Sequence, residues 1–269
     1  MTIQRMSSAV RLGLGFFYMA VMAVVAMVLA VPLLPFRVLR IKLCNYYGKC
    51  VGPVLIWLAR ATPVVQHRER IAATYPAIYV SNHTSTLDAF IAIWLCPVGG
   101  CGVVKKQITN IPFFGWLFRL SGHLSIDRAD HQGAIAALKS TAEFVRKNRL
   151  ALWIWPEGTR SRDGRLLPLK KGVVHLAIAT GLPIVPVVVH GAHKNWAKHA
   201  FTLHPVTIPV LVLPPIDTRG WSADTTDVHC AEIYAVLAAA LPPDQQPLQQ
   251  PLQQPLVPVD KRPPLEASA

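Results

Sequence analysis

The chain has no Cys-x-x-Cys pair, and none of its five cysteines (Cys44, Cys50, Cys96, Cys101, Cys230) combines with paired histidines at metal-ligand spacing. That leaves neither a zinc signature nor a disulfide framework, so a reducing setting is expected for the main domain. Acidic residues are scarce, with 14 Asp and Glu against 27 Lys and Arg. Charge is missing altogether from Leu12 to Phe36. That run is longer than the roughly 20 residues a helix needs to cross a bilayer, and longer than the apolar region of a usual cleaved signal peptide. What is present is apolar and basic: 52% hydrophobic residues and a formal net charge of +13. Such a balance points to a membrane surface rather than to nucleic acid. Anionic head groups attract Lys and Arg, while apolar segments supply the insertion energy.

The sequence divides into three parts. Residues 1–63 read as an N-terminal membrane anchor, with a helix over 12–36 that Pro32 and Pro35 bend or end. A second apolar segment, 51–58, is too short to span alone and could pair with the first as an interfacial helical hairpin, so the anchor either spans the bilayer or lies in one leaflet. Arg37, Arg40, Lys42 and Lys49 follow the apolar run, against Arg5 and Arg11 before it, which weakly places the downstream domain in the cytoplasm. Residues 64–241 alternate short β-rich runs with helical patterns, the signature of an α/β domain: a three-layer mixed sheet flanked by helices. Residues 242–269 hold three Gln-Gln-Pro-Leu units (245–248, 249–252 and 253–256) and more proline, and read as a disordered tail.

Three strand exits carry chemistry. The apolar run Ala77-Ile78-Tyr79-Val80 predicts a buried strand, and Ser81-Asn82-His83-Thr84-Ser85-Thr86-Leu87-Asp88 predicts the turn that opens a helix. A histidine there, with a carboxylate five residues on, suits a base-and-orienter dyad. Asp88 would fix the imidazole tautomer, and the other ring nitrogen of His83 would take a proton from a hydroxyl. The plainer account makes Asp88 only a favourable charge at a helix N-terminus. At the second exit, Lys105-Lys106 precede Ile111-Pro112-Phe113-Phe114-Gly115-Trp116, and Ser121 through Asp127-Arg128 make a further turn and strand. Basic residues at strand ends are what a phosphate site requires, although Arg128 also suits a local ion pair with Asp127 or Asp130. The third exit is Trp155-Pro156-Glu157-Gly158-Thr159-Arg160-Ser161. Glu157 can accept hydrogen bonds from a glycerol hydroxyl, Gly158 lets the backbone approach, Thr159 offers a hydroxyl, and Arg160 can fork onto phosphate oxygens. A solvated Glu157–Arg160 pair is the plainer alternative. The run Ile184-Val185-Pro186-Val187 reads as a core strand.

Taken together, these residues resemble the glycerolipid acyltransferase family, most closely the 1-acylglycerol-3-phosphate (lysophosphatidate) acyltransferases. The resemblance spans roughly Ala77 to Val189 in four ordered blocks. These are His83 through Asp88 as H-x-x-x-x-D; Lys105 through Pro112-Phe113-Phe114-Gly115 to Asp127-Arg128; Pro156-Glu157-Gly158-Thr159-Arg160-Ser161; and Ile184 to Val187. One small departure is Trp155, where the family usually has phenylalanine, and the C-terminal tail has no counterpart in the family pattern. The resemblance implies an O-acyltransferase of phospholipid biosynthesis. It would move a fatty acyl group from a thioester, acyl-CoA or acyl carrier protein, to the free hydroxyl of lysophosphatidate, giving phosphatidic acid. His83 and Asp88 would be the base dyad, Glu157, Gly158, Thr159, Arg160, Lys105 and Arg128 would bind the acceptor, and no metal or further cofactor would be required. The domain would work on the cytoplasmic side of a bacterial-type inner membrane, with no nucleic-acid partner.

Other readings compete. Another lysolipid, a lyso-ornithine lipid or a lysophospholipid, could be the acceptor. A metal-dependent phosphoesterase would use His83, Asp88, Asp127 and Glu157 as ligands. A non-enzymatic membrane-tethered binder of anionic lipid would explain the net charge alone.

Overall fold

The computed structural model describes residues 3–105, 110–126 and 131–248. It opens with helix α1 (Ile3–Ala30), a 3-10 turn at Val31–Leu33, and helix α2 (Arg37–Leu58). Pro32 sits in the turn and ends α1, as its missing N–H and fixed φ dictate. The pairing of the two apolar segments is therefore present, with one correction. Residues 51–58 are only the last turns of a 22-residue helix whose first half is polar and basic. That helix packs on α1 and crosses α4 (Leu87–Leu95) at backbone contact. A Cβ on Gly48 would meet Ile93 O at 2.9 Å, and one on Gly52 would meet Phe90 O at 2.9 Å. Any larger residue would push the two helices apart.

Strand β1 (Ala61–Gln66) follows, then α3 (Glu69–Ala73), β2 (Ile78–Ser81), α4, β3 (Gly100–Lys105), α5 (Phe114–Ser121) and β4 (Leu124–Ile126). The chain continues through α6 (His131–Lys147), β5 (Ala151–Ile154), α7 (Gly172–Thr180), β6 (Ile184–Val189), α8 (Ala192–Asn195), β7 (Val206–Val212) and α9 (Thr226–Ala240). The seven strands form one sheet in the order β1-β7-β6-β2-β5-β3-β4. From β6 to β4 every neighbouring pair is parallel, whereas β7 runs antiparallel to β6 and carries β1 parallel to itself. The sheet is thus mixed and, with helices on both faces, three-layered. β1 begins at Ala61, ahead of the expected boundary at 64. Its Pro63 masks the strand pattern and is tolerated because β1 is an edge.

Both faces of the sheet are buried. On one, Leu87, Ile91 and Leu95 of α4 and Trp196 pack over Tyr79, Trp153 and Val187. On the other, Val145, Val173 and Ile233 of α6, α7 and α9 pack over Ile78, Leu152 and Ile184. This double cover explains why β2 and β6 are continuous apolar runs. All six residues of β6 are buried, so Ile184 to Val187 pack the core, as the plain reading had it. Because β2, β3, β4, β5 and β6 are parallel, the exits carrying His83, Lys105, Glu157 and Arg160 all open at one edge. That is where ligands bind in open α/β sheets.

Candidate active site

The site begins with how β2 ends. Asn82 is buried, and its side chain continues the sheet: Nδ2 donates to Val189 O at 2.9 Å, and Oδ1 accepts Val189 N–H at 2.8 Å. The chain then turns, and His83 projects at the edge with its ring 18% exposed. Its Nδ1 lies 3.0 Å from Asp88 Oδ2, which also accepts the N–H groups of Thr84 (2.6 Å) and Ser85 (2.8 Å). Asp88 therefore bonds both the turn's amides and the imidazole through one oxygen. With Nδ1 facing a carboxylate, the neutral ring carries its proton there, which leaves Nε2 as acceptor. Nε2 makes no hydrogen bond among the described residues. One face of the ring stacks on Trp155, centroids 4.7 Å apart. The aromatic residue before Pro156 is thus a wall for His83.

The exit of β5 fixes the same residue from below. Glu157 is 3% exposed, and its two oxygens accept the N–H of His83 (Oε1, 2.6 Å) and of Leu167 (Oε2, 2.9 Å). The sequence reading had this carboxylate facing a glycerol hydroxyl. Instead it faces inward and holds backbone, as a carboxyl group buried this deeply must find hydrogen-bond partners. Burial pushes its pKa up to about 8, with Asp88 adding to the rise and the two N–H bonds opposing it. Ser161 N–H donates to His83 O at 2.9 Å, so the backbone of His83 is held at both its N–H and its C=O. Gly158 adopts φ +73°, a left-handed conformation that lets the turn fold back, and Thr159 is exposed beside it.

Arg160 returns to the histidine turn. Its Nη1 donates to Thr86 Oγ1 at 2.6 Å, at the N-terminus of α4, rather than to Glu157. The proposed surface pair of Arg160 with Glu157 is therefore absent. Lys198, which no motif marked, reaches Arg160 O with its ammonium at 3.0 Å and adds a second cation to this edge. It lies past α8 in a stretch without pattern, so only the fold brings it near. Lys105 ends β3 at the same edge as the other strand exits, with only its backbone among the described atoms. Arg128 and Asp127 lie outside the described residues. Among the described residues, no three His, Cys, Asp or Glu side chains converge on a metal-sized point.

Comparison with known proteins gives the chain a family. The Acyltransferase family model matches residues 63–190. The 1-acyl-sn-glycerol-3-phosphate acyltransferase of Limnanthes douglasii is 41% identical over 239 residues, which cover 89% of this chain and 84% of that protein. The protein of the same name from Escherichia coli K12 is 38% identical over 160 residues, 58% of this chain and 64% of its own. In structure, the chain resembles the 1-acyl-sn-glycerophosphate acyltransferase of Thermotoga maritima. The TM-score is 0.61 at 23% identity, over 82% of this chain and 93% of that one. The chain belongs to the acyltransferase family.

Proposed function

We propose that this acyltransferase esterifies the free hydroxyl of 1-acylglycerol-3-phosphate with a fatty acyl group from a thioester, producing phosphatidic acid. The observation that carries the reading is the 3.0 Å contact of His83 Nδ1 with buried Asp88, which leaves Nε2 unengaged at a strand exit that also presents Arg160. In this mechanism Nε2 takes the proton of the acceptor hydroxyl as its oxygen bonds to the thioester carbonyl. The C–S bond then breaks, and the imidazolium returns the proton to the departing thiolate. The acceptor is itself the nucleophile, so no acyl-enzyme forms. Asp88 stabilises the imidazolium; Arg160, Lys105 and Arg128 receive the acceptor's phosphate, and Gly158 and Thr159 shape the turn beside it. Glu157 acts on the acceptor only through the backbone of His83. The thioester is acyl-CoA or acyl carrier protein.

The amphiphilic acceptor places the enzyme at a membrane. In support, α1 is long and apolar enough to span a bilayer by length and composition. One face of it, with Met19, Ala23 and Ala26, packs against Tyr47, Val51 and Leu55 of α2. The other leaves Phe17, Val25 and Val28 exposed, a surface without a soluble rationale. Ser8 near the start of α1 accepts the N–H of Leu203 at 3.0 Å, so the helix is docked along the catalytic domain. The basic residues after the apolar run favour the cytoplasmic side of the membrane. The test is an acyl-transfer assay of the full chain in membranes, with a panel of lysolipids and both thioester types. Transfer to lysophosphatidate is expected to exceed transfer to lyso-ornithine lipid and to lysophospholipids without a terminal phosphate. A preference for one of those would reassign the acceptor.

A further inference from the structure

The lobe that follows Glu157 is gripped by a segment the composition reads as tail. Residues 158–167 leave β5, carry Arg160 and return so that Leu167 N–H reaches Glu157. Beyond α9 the chain does not leave the body. Residues 242–248 dock on it, a correction to the boundary expected at 242, and within this C-terminal stretch 249–269 lie outside the described residues. Gln245 is 0% exposed. Its Oε1 accepts Gly191 N–H at 2.6 Å just past β6, its Nε2 donates to Gly164 O at 3.3 Å, and its backbone O accepts Leu166 N–H at 3.0 Å. Arg165 Nη1 donates to Gln246 O at 2.7 Å, and Lys194 pairs with Asp244 at 2.7 Å. A buried amide with both ends satisfied is a built socket, since an unfilled one would strand polar groups away from water.

We infer that Gln245 is a positioning residue for the acceptor site: it locks the 158–167 lobe to the exit of β6 and thereby holds Arg160 and the Leu167–Glu157–His83 chain in place. The inference rests on the acyltransferase reading above. The sequence adds a consequence. Gln245-Gln246-Pro247-Leu248 is the first of three identical units, so deletion of 245–248 places Gln249-Gln250-Pro251-Leu252 directly after Asp244. The socket then meets the same local sequence again.

The experiment compares the full-length wild type, the triple variant Gln245→Ala/Gln249→Ala/Gln253→Ala, and the in-register deletion of 245–248. It reads the KM of each substrate and the rate of tryptic cleavage at Arg160, Arg162 and Arg165. The triple variant is expected to raise the lysophosphatidate KM about tenfold and to speed cleavage of the lobe, with the thioester KM unchanged. The deletion is expected to behave as wild type in all three. A milder variant, Gln245→Glu with the other two alanines, keeps the acceptor for Gly191 and loses the donor to Gly164. It shows the same acceptor-selective defect to a smaller degree. Unchanged acceptor kinetics in the triple variant, or a deletion as damaged as that variant, would overturn the inference. If the wild type acylates no lysophosphatidate, the functional reading fails by itself, and cleavage rates alone then judge the lock. Fast cleavage confined to the alanine variants supports it, and equal rates reject it.

Discussion

Glu157 Oε1 accepts the backbone N–H of His83 at 2.6 Å, so the carboxylate of the third sequence block supports the histidine of the first. The other oxygen takes Leu167 N–H at 2.9 Å. Two strand exits are welded by one buried side chain, and the weld is a pair of hydrogen bonds. In Glu157→Gln only one of the two side-chain groups can accept, and one backbone N–H is stranded. A buried unsatisfied donor costs about 1–3 kcal/mol, so the variant should unfold at lower temperature and lose about tenfold or more in kcat. The thermal melt and the kcat measure the two effects separately.

Glu157 also sets a pH dependence. Its folded pKa of about 8 lies above its ordinary value of 4.5 because burial disfavours the charged form. The folded state then binds the proton more tightly than the unfolded one. The stability from this group is complete below pH 4.5 and is lost as pH rises toward 8. Melting curves of wild type should therefore fall across that window relative to those of Glu157→Gln, narrowing the gap between them. Parallel curves would show that the carboxyl does not take up its proton on folding.

Arg160 donates to Thr86 Oγ1 at 2.6 Å and has Lys198 on its carbonyl at 3.0 Å. Its guanidinium sits at the histidine turn with donors to spare. Lysine at this position keeps the charge but loses the planar fork. Charge-assisted contacts contribute about 1.5–3 kcal/mol, so Arg160→Lys should lower kcat/KM for lysophosphatidate by about tenfold or more. The thioester KM should hardly change. Saturation curves for each substrate separate this from a general defect, which would affect both equally.

The two faces of α1 make opposite predictions. Phe17→Glu and Val28→Glu alter exposed positions and should leave the melting temperature unchanged. Each should weaken binding to anionic vesicles about tenfold, since inserting such a side chain is worth about 1.5–3 kcal/mol. Ala23→Glu, at 0% exposure, should instead destabilise the fold by burying a charge against α2. Vesicle co-sedimentation beside a thermal melt distinguishes them.

The centre of the sheet was legible because β2, β5 and β6 are short apolar runs covered on both faces, whereas edge strand β1 carries Pro63 and alternates in burial. The exits were legible because polar residues interrupt those runs abruptly at His83 and Glu157. Other features depend on neighbours distant in sequence. Helix α2 hides its first half in polar residues whose partners are Gly100 O for Asn45 and Leu120 O for Arg40. Glu157 looked like a ligand for substrate because nothing local shows Leu167 folding back onto it. Gln245 sits in low-complexity sequence, where composition argues for disorder and only the socket beside Gly164 and Gly191 argues otherwise. Lys198 has no motif at all.

The central claim is that His83 Nε2 takes the acceptor's proton while Asp88 holds Nδ1 at 3.0 Å. The most direct measurement is the single-turnover rate of acyl transfer to lysophosphatidate by His83→Ala, with membrane binding and melting temperature recorded on the same preparation. Loss of the general base predicts a fall of about 10²–10⁴-fold, with attachment and folding retained. A folded, membrane-bound His83→Ala protein that turns over at close to the wild-type rate would contradict the account.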